Sequence, residues 1–114
     1  MSSRRIEDLI PEMQELYKLF EATCHSAGLD FIVTCTTRTK EEQAELVKKG
    51  FSKTMNSKHL IGEAFDIAVL IDGKITWKNK YYEPFGEIGM SIGLVWCGSW
   101  KTFKDMPHFE YRRG

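Results

Sequence analysis

The sequence predicts an α+β domain, in which a small, mostly antiparallel sheet has its helices packed on one side. Two observations support this prediction. Stretches with apolar residues every three or four positions alternate with short β-branched runs along the chain. Asp72-Gly73 also lies between two apolar runs, which is the strongest short signal for a hairpin of antiparallel strands. With no repeat or linker among the 114 residues, residues 1–114 are predicted to form a single domain.

The first half of the chain is predicted to hold two helices with a strand between them. Pro11 suits the first turn of an amphipathic helix, and Gly28 is placed to end it. The stretch 29–36 is apolar and β-branched, which predicts a strand. The stretch 39–50 opens with a threonine and a glutamate at capping-box spacing and ends in glycine, which predicts the second helix.

The second half is predicted to hold a hairpin, a helix and two further strands. The expected boundaries are a loop at 51–58, the hairpin at 64–77, a helix at 81–93, a strand at 94–98, a loop at 101–107 and a strand at 108–111. Within the helix, Phe85, Ile88 and Ile92 are expected to face the core. Three glycines in the same stretch weaken the helical pattern.

The composition argues against several classes of partner and location. Sixteen basic and sixteen acidic residues cancel and are scattered, so neither nucleic acid nor an anionic membrane is an expected partner. The stretch 1–13 lacks the apolar segment of a signal peptide, and no apolar run reaches the length of a membrane span. We therefore expect a monomer that is made in the cytoplasm without a signal peptide.

The three cysteines are not spaced like a disulfide framework or a zinc knuckle. Cys24, Cys35 and Cys97 form no CxxC pair and have apolar flanks. We expect all three to be small buried hydrophobic side chains.

The first chemically informative segment is SKHLIGEAFD, residues 57–66. A strand of seven residues would hold His59 and Asp66 about 20 Å apart, but Gly62 between them allows the backbone to turn back. Asp66 lies in an apolar strand, where a carboxylate is costly to bury unless it is paired or bound to a metal ion. These residues alone leave two interpretations open, a buried hydrogen bond between Asp66 and His59 or a metal site.

A second segment, DMPHFE at residues 105–110, favours the metal site. Pro107 fixes the backbone before His108 and excludes a helix there. Two histidines and one carboxylate give a tetrahedral zinc ion three protein ligands and leave the fourth position for water, as in zinc hydrolases. Such a hydrolase also needs a carboxylate as base, and Asp105 and Glu110 are both candidates. If HFEY is extended, Glu110 shares a strand face with His108 and could support it.

Three segments resemble a known family. SKHLIGEAFD is similar to the SxHxxGxAxD signature of the M15 zinc peptidases, which include VanY-like D-alanyl-D-alanine carboxypeptidases and phage L-alanyl-D-glutamate endopeptidases. DMPHFE resembles the second motif of that family, and TTRTKEEQ at 36–43 resembles its arginine-containing turn. The motifs occur in family order, and the short chain looks most like the phage endolysin branch. This resemblance implies the hedgehog/D-Ala-D-Ala-peptidase-like fold and hydrolysis of a peptide bond in the peptidoglycan stem peptide.

The resemblance also assigns roles to matching residues. It implies that His59, Asp66 and His108 are the zinc ligands and that Asp105 is the general base. The protein would then act on the bacterial cell wall after its release from the host cytoplasm.

Three further positions match family residues near the substrate. Arg38 matches an arginine that steadies the substrate carbonyl and the oxyanion formed from it. Ser57 and Gln43 match residues expected to bind substrate.

The L-alanyl-D-glutamate bond is the first choice of substrate, and a D,D-carboxypeptidase of the same family is the second. A rival from another class is a non-catalytic binding module that keeps its zinc, as in hedgehog-type signalling domains. The presence of Asp105 argues against that rival, because a binding module needs no base. A zinc-free fold with core histidines fits poorly with two such segments in one short chain.

Overall fold

The computed structural model describes residues 3–51, 57–99 and 106–112. Within these residues, three α-helices and five strands form the framework. They are α1 (Pro11–Ser26), β1 (Asp30–Cys35), α2 (Lys40–Lys48), β2 (Ala64–Ile71), β3 (Lys74–Thr76), α3 (Glu83–Ser91), β4 (Val95–Trp96) and β5 (His108–Glu110). Short 3-10 turns lie at Ile6–Asp8, Lys58–Ile61, Asn79–Tyr81 and Cys97–Ser99.

The strands form one sheet in the order β1-β2-β5-β4, and β3 also pairs with β2. All of these pairings are antiparallel, which confirms the predicted fold class. The hairpin between β2 and β3 turns at Asp72 and Gly73, both with positive φ (53° and 77°), as the Asp-Gly signal predicts.

The hydrophobic core lies between one face of the sheet and two helices. Phe65, Ile67 and Val69 of β2 point into it, together with Phe20 of α1 and Phe85 of α3. Alternate residues of β2, including Asp66, therefore lie on the opposite face of the sheet. Among the described residues, α2 contributes no side chain to this cluster.

Two glycines of α3 allow the helix to pack directly on aromatic rings. A Cβ atom at Gly86 would lie 2.1 Å from the Trp96 ring, and one at Gly89 would lie 2.7 Å from the Phe109 ring. The glycines that weaken the helical pattern in the sequence are thus required by tertiary packing.

The sequence prediction of most elements is confirmed, with two differences. The predicted strand at 94–98 is paired only over Val95–Trp96, and Cys97 already begins a 3-10 turn. The end of the predicted loop at 51–58 forms the start of the turn Lys58–Ile61. Residues 52–56 and most of the predicted loop at 101–107 lie outside the described residues, and the single-domain boundary stays a prediction.

Within the described residues, we find no helix of the length and apolar character that crossing a membrane requires.

Candidate metal centre

The predicted ligands meet on the face of the sheet opposite the core. Asp66 in β2 is paired directly with His108 in β5, so their side chains lie side by side on the same face. His59 comes from the turn Lys58–Ile61, which folds back over β2. Gly62 allows the backbone to fold back here, because its φ of 71° is in the left-handed region. A larger residue would also be crowded, since an added Cβ would lie 3.0 Å from the backbone oxygen of Asp8.

The three side chains are close enough to share one ion. His108 Nδ1 lies 2.7 Å from Asp66 Oδ1, and His59 Nε2 lies 3.2 Å from the same oxygen. The two imidazole rings are 4.9 Å apart between centroids and nearly perpendicular. Both histidines are buried, and 21% of the Asp66 side chain is exposed.

The orientation of His59 is fixed through its other ring nitrogen. Nδ1 lies 3.0 Å from the backbone oxygen of Thr36, which can only accept, so Nδ1 carries a proton and donates it. Nε2 faces Asp66 and is buried, yet it makes no hydrogen bond within the described part of the chain. A buried nitrogen with no such partner is costly to the fold unless something else binds it.

This donor set fits a zinc ion. Two imidazole nitrogens and a carboxylate oxygen are the ligands of several catalytic zinc sites. A hydrogen bond from the far nitrogen of His59 to a carbonyl is the usual arrangement for a metal-binding histidine. Both the chemistry of the donors and the absence of a hydrogen bond at Nε2, which is only in electrostatic contact with Asp66, are therefore explained if a cation binds here.

The far ring nitrogen of His108 also has a hydrogen-bond partner, in this case a carboxylate. Its Nε2 lies 3.1 Å from Glu110 Oε1, two residues along β5 on the same face. The prediction that Glu110 shares a face with His108 is confirmed. Because Glu110 binds the far side of the imidazole, it can hold Nδ1 towards Asp66.

Arg38 reaches the centre from the turn between β1 and α2. Its Nη2 lies 3.8 Å from Asp66 Oδ2, and only 13% of its side chain is exposed. The Arg38 backbone N–H donates to the carbonyl oxygen of His59 at 3.1 Å. The arginine turn and the histidine turn are thus joined through the backbone as well as through Asp66.

The contacts among His59, Asp66 and His108, called the trio below, shift the pKa of each group. Burial alone would lower the pKa of each imidazole. The Asp66 carboxylate, together with Cys35 beside His59 and Glu110 beside His108, outweighs burial and raises the pKa of His59 to about 10 and that of His108 to about 9. Burial alone would raise the pKa of Asp66, but the two imidazoles hold that pKa well below its usual range. Without a cation, the trio at neutral pH is therefore a carboxylate between two imidazolium groups.

Two cysteines lie beside the ligands. Cys35 Sγ is 3.6 Å from His59 Nδ1, and Cys35 is paired with Asp66 across β1 and β2 after a bulge. Potential ligand atoms of two groups, Cys35–His59–Asp66 and Cys97–His108–Glu110, each lie within 4.8 Å of one another. All three cysteines of the chain are buried, as predicted, but the sequence did not reveal that two of them adjoin the centre.

The N-terminal segment, residues 3–10, forms hydrogen bonds with the turn that bears Arg38 and with the turn that bears His59. The backbones of Ser3 and Thr36 are joined by a 2.7 Å hydrogen bond, and the Thr36 hydroxyl donates to the carbonyl oxygen of Arg5 at 2.8 Å. The Ile10 N–H donates to the carbonyl oxygen of Gly62 at 3.1 Å.

The two residues predicted to bind substrate have other contacts in the structure. The Ser57 hydroxyl accepts a hydrogen bond from the His59 N–H at 3.2 Å and so caps the turn that bears this histidine. Gln43 is fully buried in α2 and accepts a hydrogen bond from Arg38. Asp105, the predicted base, lies outside the described residues, so its position relative to the trio stays a prediction.

Comparison with known proteins identifies the family. The family described as phage L-alanyl-D-glutamate peptidase matches residues 1–108 of the chain. The chain belongs to this family.

Two similar proteins come from different sources. The peptidoglycan L-alanyl-D-glutamate endopeptidase CwlK of Bacillus subtilis is 33% identical, over 90% of this chain and 73% of its own. The L-alanyl-D-glutamate peptidase of Listeria phage A118 is 35% identical over 75% of this chain. The match covers 32% of that phage protein, so the chain spans about a third of its length.

Solved structures show the same fold. The L-Ala D-Glu endopeptidase ChiX of Serratia marcescens superposes with a TM-score of 0.84 and 26% identity, over 98% of this chain and 89% of its own. The vancomycin resistance D,D-pentapeptidase VanY, solved in complex with Zn(II), gives a TM-score of 0.64 and 25% identity, over 90% of this chain and 71% of its own.

Proposed function

We propose that this chain is a zinc-dependent peptidase that hydrolyses the L-alanyl-D-glutamate bond in the stem peptide of bacterial peptidoglycan. The observation that supports this proposal best is the meeting of His59, Asp66 and His108, with a buried His59 Nε2 that makes no hydrogen bond in the described part of the chain. The family and the named activities of CwlK and ChiX support the substrate.

The proposed mechanism assigns one task to each residue. The trio would bind zinc, which supplies a Lewis acid for the scissile carbonyl and lowers the pKa of water. Asp105 would take a proton from the attacking water and return it to the leaving amine. Arg38, a cation held close to Asp66, would stabilise the negative charge that develops on the carbonyl oxygen.

A D,D-carboxypeptidase is the second candidate, and the likeness to VanY favours it. The two activities use the same chemistry on different bonds of the same stem peptide. The products therefore distinguish them.

Digestion of purified peptidoglycan, followed by mass spectrometry of the soluble products, tests the proposal. We expect fragments with a new amino group on D-glutamate. Release of free D-alanine would indicate the carboxypeptidase instead. Binding to the sedimented wall without any product would indicate a non-catalytic module.

Two controls make this experiment specific. His108→Ala should yield no product, because it removes one proposed ligand. Chelation of the wild-type protein should abolish the products, and zinc should restore them.

A further inference from the structure

Gln43 is a buried polar residue at the edge of the metal centre. It lies in the first turns of α2, which opens with the capping box of Thr39 and Glu42. Its side chain is fully buried, so no substrate reaches it in this conformation. Its Oε1 accepts a hydrogen bond of 2.8 Å from Arg38 Nη1.

This bond is the shortest contact of the Arg38 guanidinium among those described. Nη2 lies 3.5 Å from Cys35 Sγ, a weak acceptor, and 3.8 Å from Asp66 Oδ2. Nε is buried and makes no hydrogen bond within the described residues. Fixing an arginine side chain costs rotamer entropy, so a guanidinium whose other two contacts are this long needs a further hydrogen bond to hold it.

We propose that Gln43 is a positioning residue, which holds the Arg38 guanidinium towards Asp66 and the reacting carbonyl by accepting the bond from Nη1. This inference rests on the proposed function, because it gives Gln43 a role in the chemistry assigned to Arg38. It replaces direct substrate contact as the role of Gln43.

The residue type suits this task. An amide oxygen accepts the guanidinium hydrogen bond without adding a negative charge beside Asp66. A carboxylate at the same place would also bind Arg38, but it would offset the positive charge that is needed at the developing oxyanion.

A double-mutant cycle in peptidoglycan hydrolysis tests the proposal. Gln43→Met keeps the length of the side chain but removes the acceptor, and we expect kcat to fall by roughly 10- to 100-fold with KM changed less than about twofold. In the Arg38→Ala background, the same substitution should change kcat by less than about twofold, because the group it positions is gone. Gln43→Glu, which keeps the acceptor, should retain a higher kcat than Gln43→Met.

A matched control separates positioning from stability. The Tyr82 hydroxyl donates to the backbone oxygen of Thr76 at 2.7 Å, in a segment that supplies no residue to the metal centre. Tyr82→Phe should lower the urea midpoint without lowering kcat. Circular dichroism and zinc content establish that each variant is folded and loaded.

A second readout does not depend on activity. Gln43→Met should lower the urea midpoint more in the wild-type background than in Arg38→Ala, because the hydrogen bond exists only in the first. If the wild-type protein released no peptidoglycan product, the proposed function would fail, while this unfolding cycle would still test the contact.

Two results would overturn the inference. One is a raised KM with unchanged kcat for Gln43→Met, which would indicate substrate contact. The other is an equal loss of kcat in both backgrounds, which would mean that Gln43 acts independently of Arg38.

Discussion

At the scale of single residues, the contacts of the centre converge on Asp66. His59 and His108 approach one of its oxygens, and Arg38 approaches the other. A carboxylate surrounded by three cationic groups is strongly favoured in its charged form. In the metal-free protein these charges stabilise one another, whereas a bound cation must replace the protons on the two imidazoles.

The stability of the metal-free protein should therefore depend on pH. A histidine whose pKa is raised by folding stabilises the protein fully below its unfolded pKa, about 6.5, and this contribution is lost as pH rises through the folded value. With folded pKa values of about 10 for His59 and about 9 for His108, we expect the urea midpoint to fall between about pH 7 and pH 10.

Urea unfolding of the chelated protein across this range provides the measurement. Asp66 has the opposite sign, since its lowered pKa gives stability that is present above about pH 4 and is lost only in strong acid. With saturating zinc the fall above pH 7 should disappear, because the ligands are then already deprotonated. A flat profile without zinc would contradict the raised imidazole pKa values.

Two substitutions should separate metal binding from proton transfer. His108→Ala should lose both zinc and hydrolysis, because it removes a ligand. Asp105→Ala should keep zinc and fold but lose hydrolysis, because it removes the proposed base. Atomic absorption and peptidoglycan digestion measure the two properties.

His25, an exposed histidine near the end of α1, offers the control. His25→Ala should keep both zinc and activity. Full zinc content in His108→Ala, or full activity in Asp105→Ala, would remove that residue from its proposed role.

Among the helices and strands, the sequence predicted correctly those features that depend only on neighbouring residues. The capping box at Thr39 and the turn at Asp72-Gly73 are both observed, because each depends on neighbours a few residues away. The pairing of β4 over only two residues was not predictable, since it depends on contact with β5. The use of Gly86 as a packing surface also depends on a distant ring, that of Trp96.

This packing leads to a prediction for α3. Gly86→Ala would favour a helix by local propensity, but its Cβ would overlap the Trp96 ring. We expect the free energy of unfolding to fall by about 3 kcal/mol or more. Urea unfolding measures this loss.

Met90, which is 43% exposed on the same helix, serves as the control. Met90→Ala should change the free energy of unfolding by less than about 0.5 kcal/mol. Equal effects of the two substitutions would show that propensity, not the contact with Trp96, sets the stability of α3.

At the scale of the whole molecule, the sequence identified the chemical groups but not their arrangement. His59, Asp66 and His108 were predictable from two segments, and the structure brings them together. The position of Cys35 opposite Asp66 depends on a strand register shifted by a bulge, for which the sequence has no signal.

Removal of the metal should affect the whole fold, because the proposed ligands come from distant parts of the chain. A ligand present at a thousand times its dissociation constant stabilises the folded state by about 4 kcal/mol. Chelation should then lower Tm by roughly 10–20 °C. Differential scanning calorimetry with and without zinc measures the shift, and His108→Ala should show none. A wild-type Tm that zinc leaves unchanged would count against a structural link between the centre and the fold.

The backbones of Ser3 and Arg5 accept hydrogen bonds from Thr36, and the Ile10 N–H donates to Gly62, so the start of the chain contacts residues that position His59. These hydrogen bonds hold Thr36, the acceptor for His59, and Gly62, the pivot of the histidine loop. A purification tag fused directly ahead of Ser3, or proteolytic trimming up to Pro11, would thus change the affinity for zinc without altering any ligand. Preparations that differ only at this end can be expected to differ in specific activity.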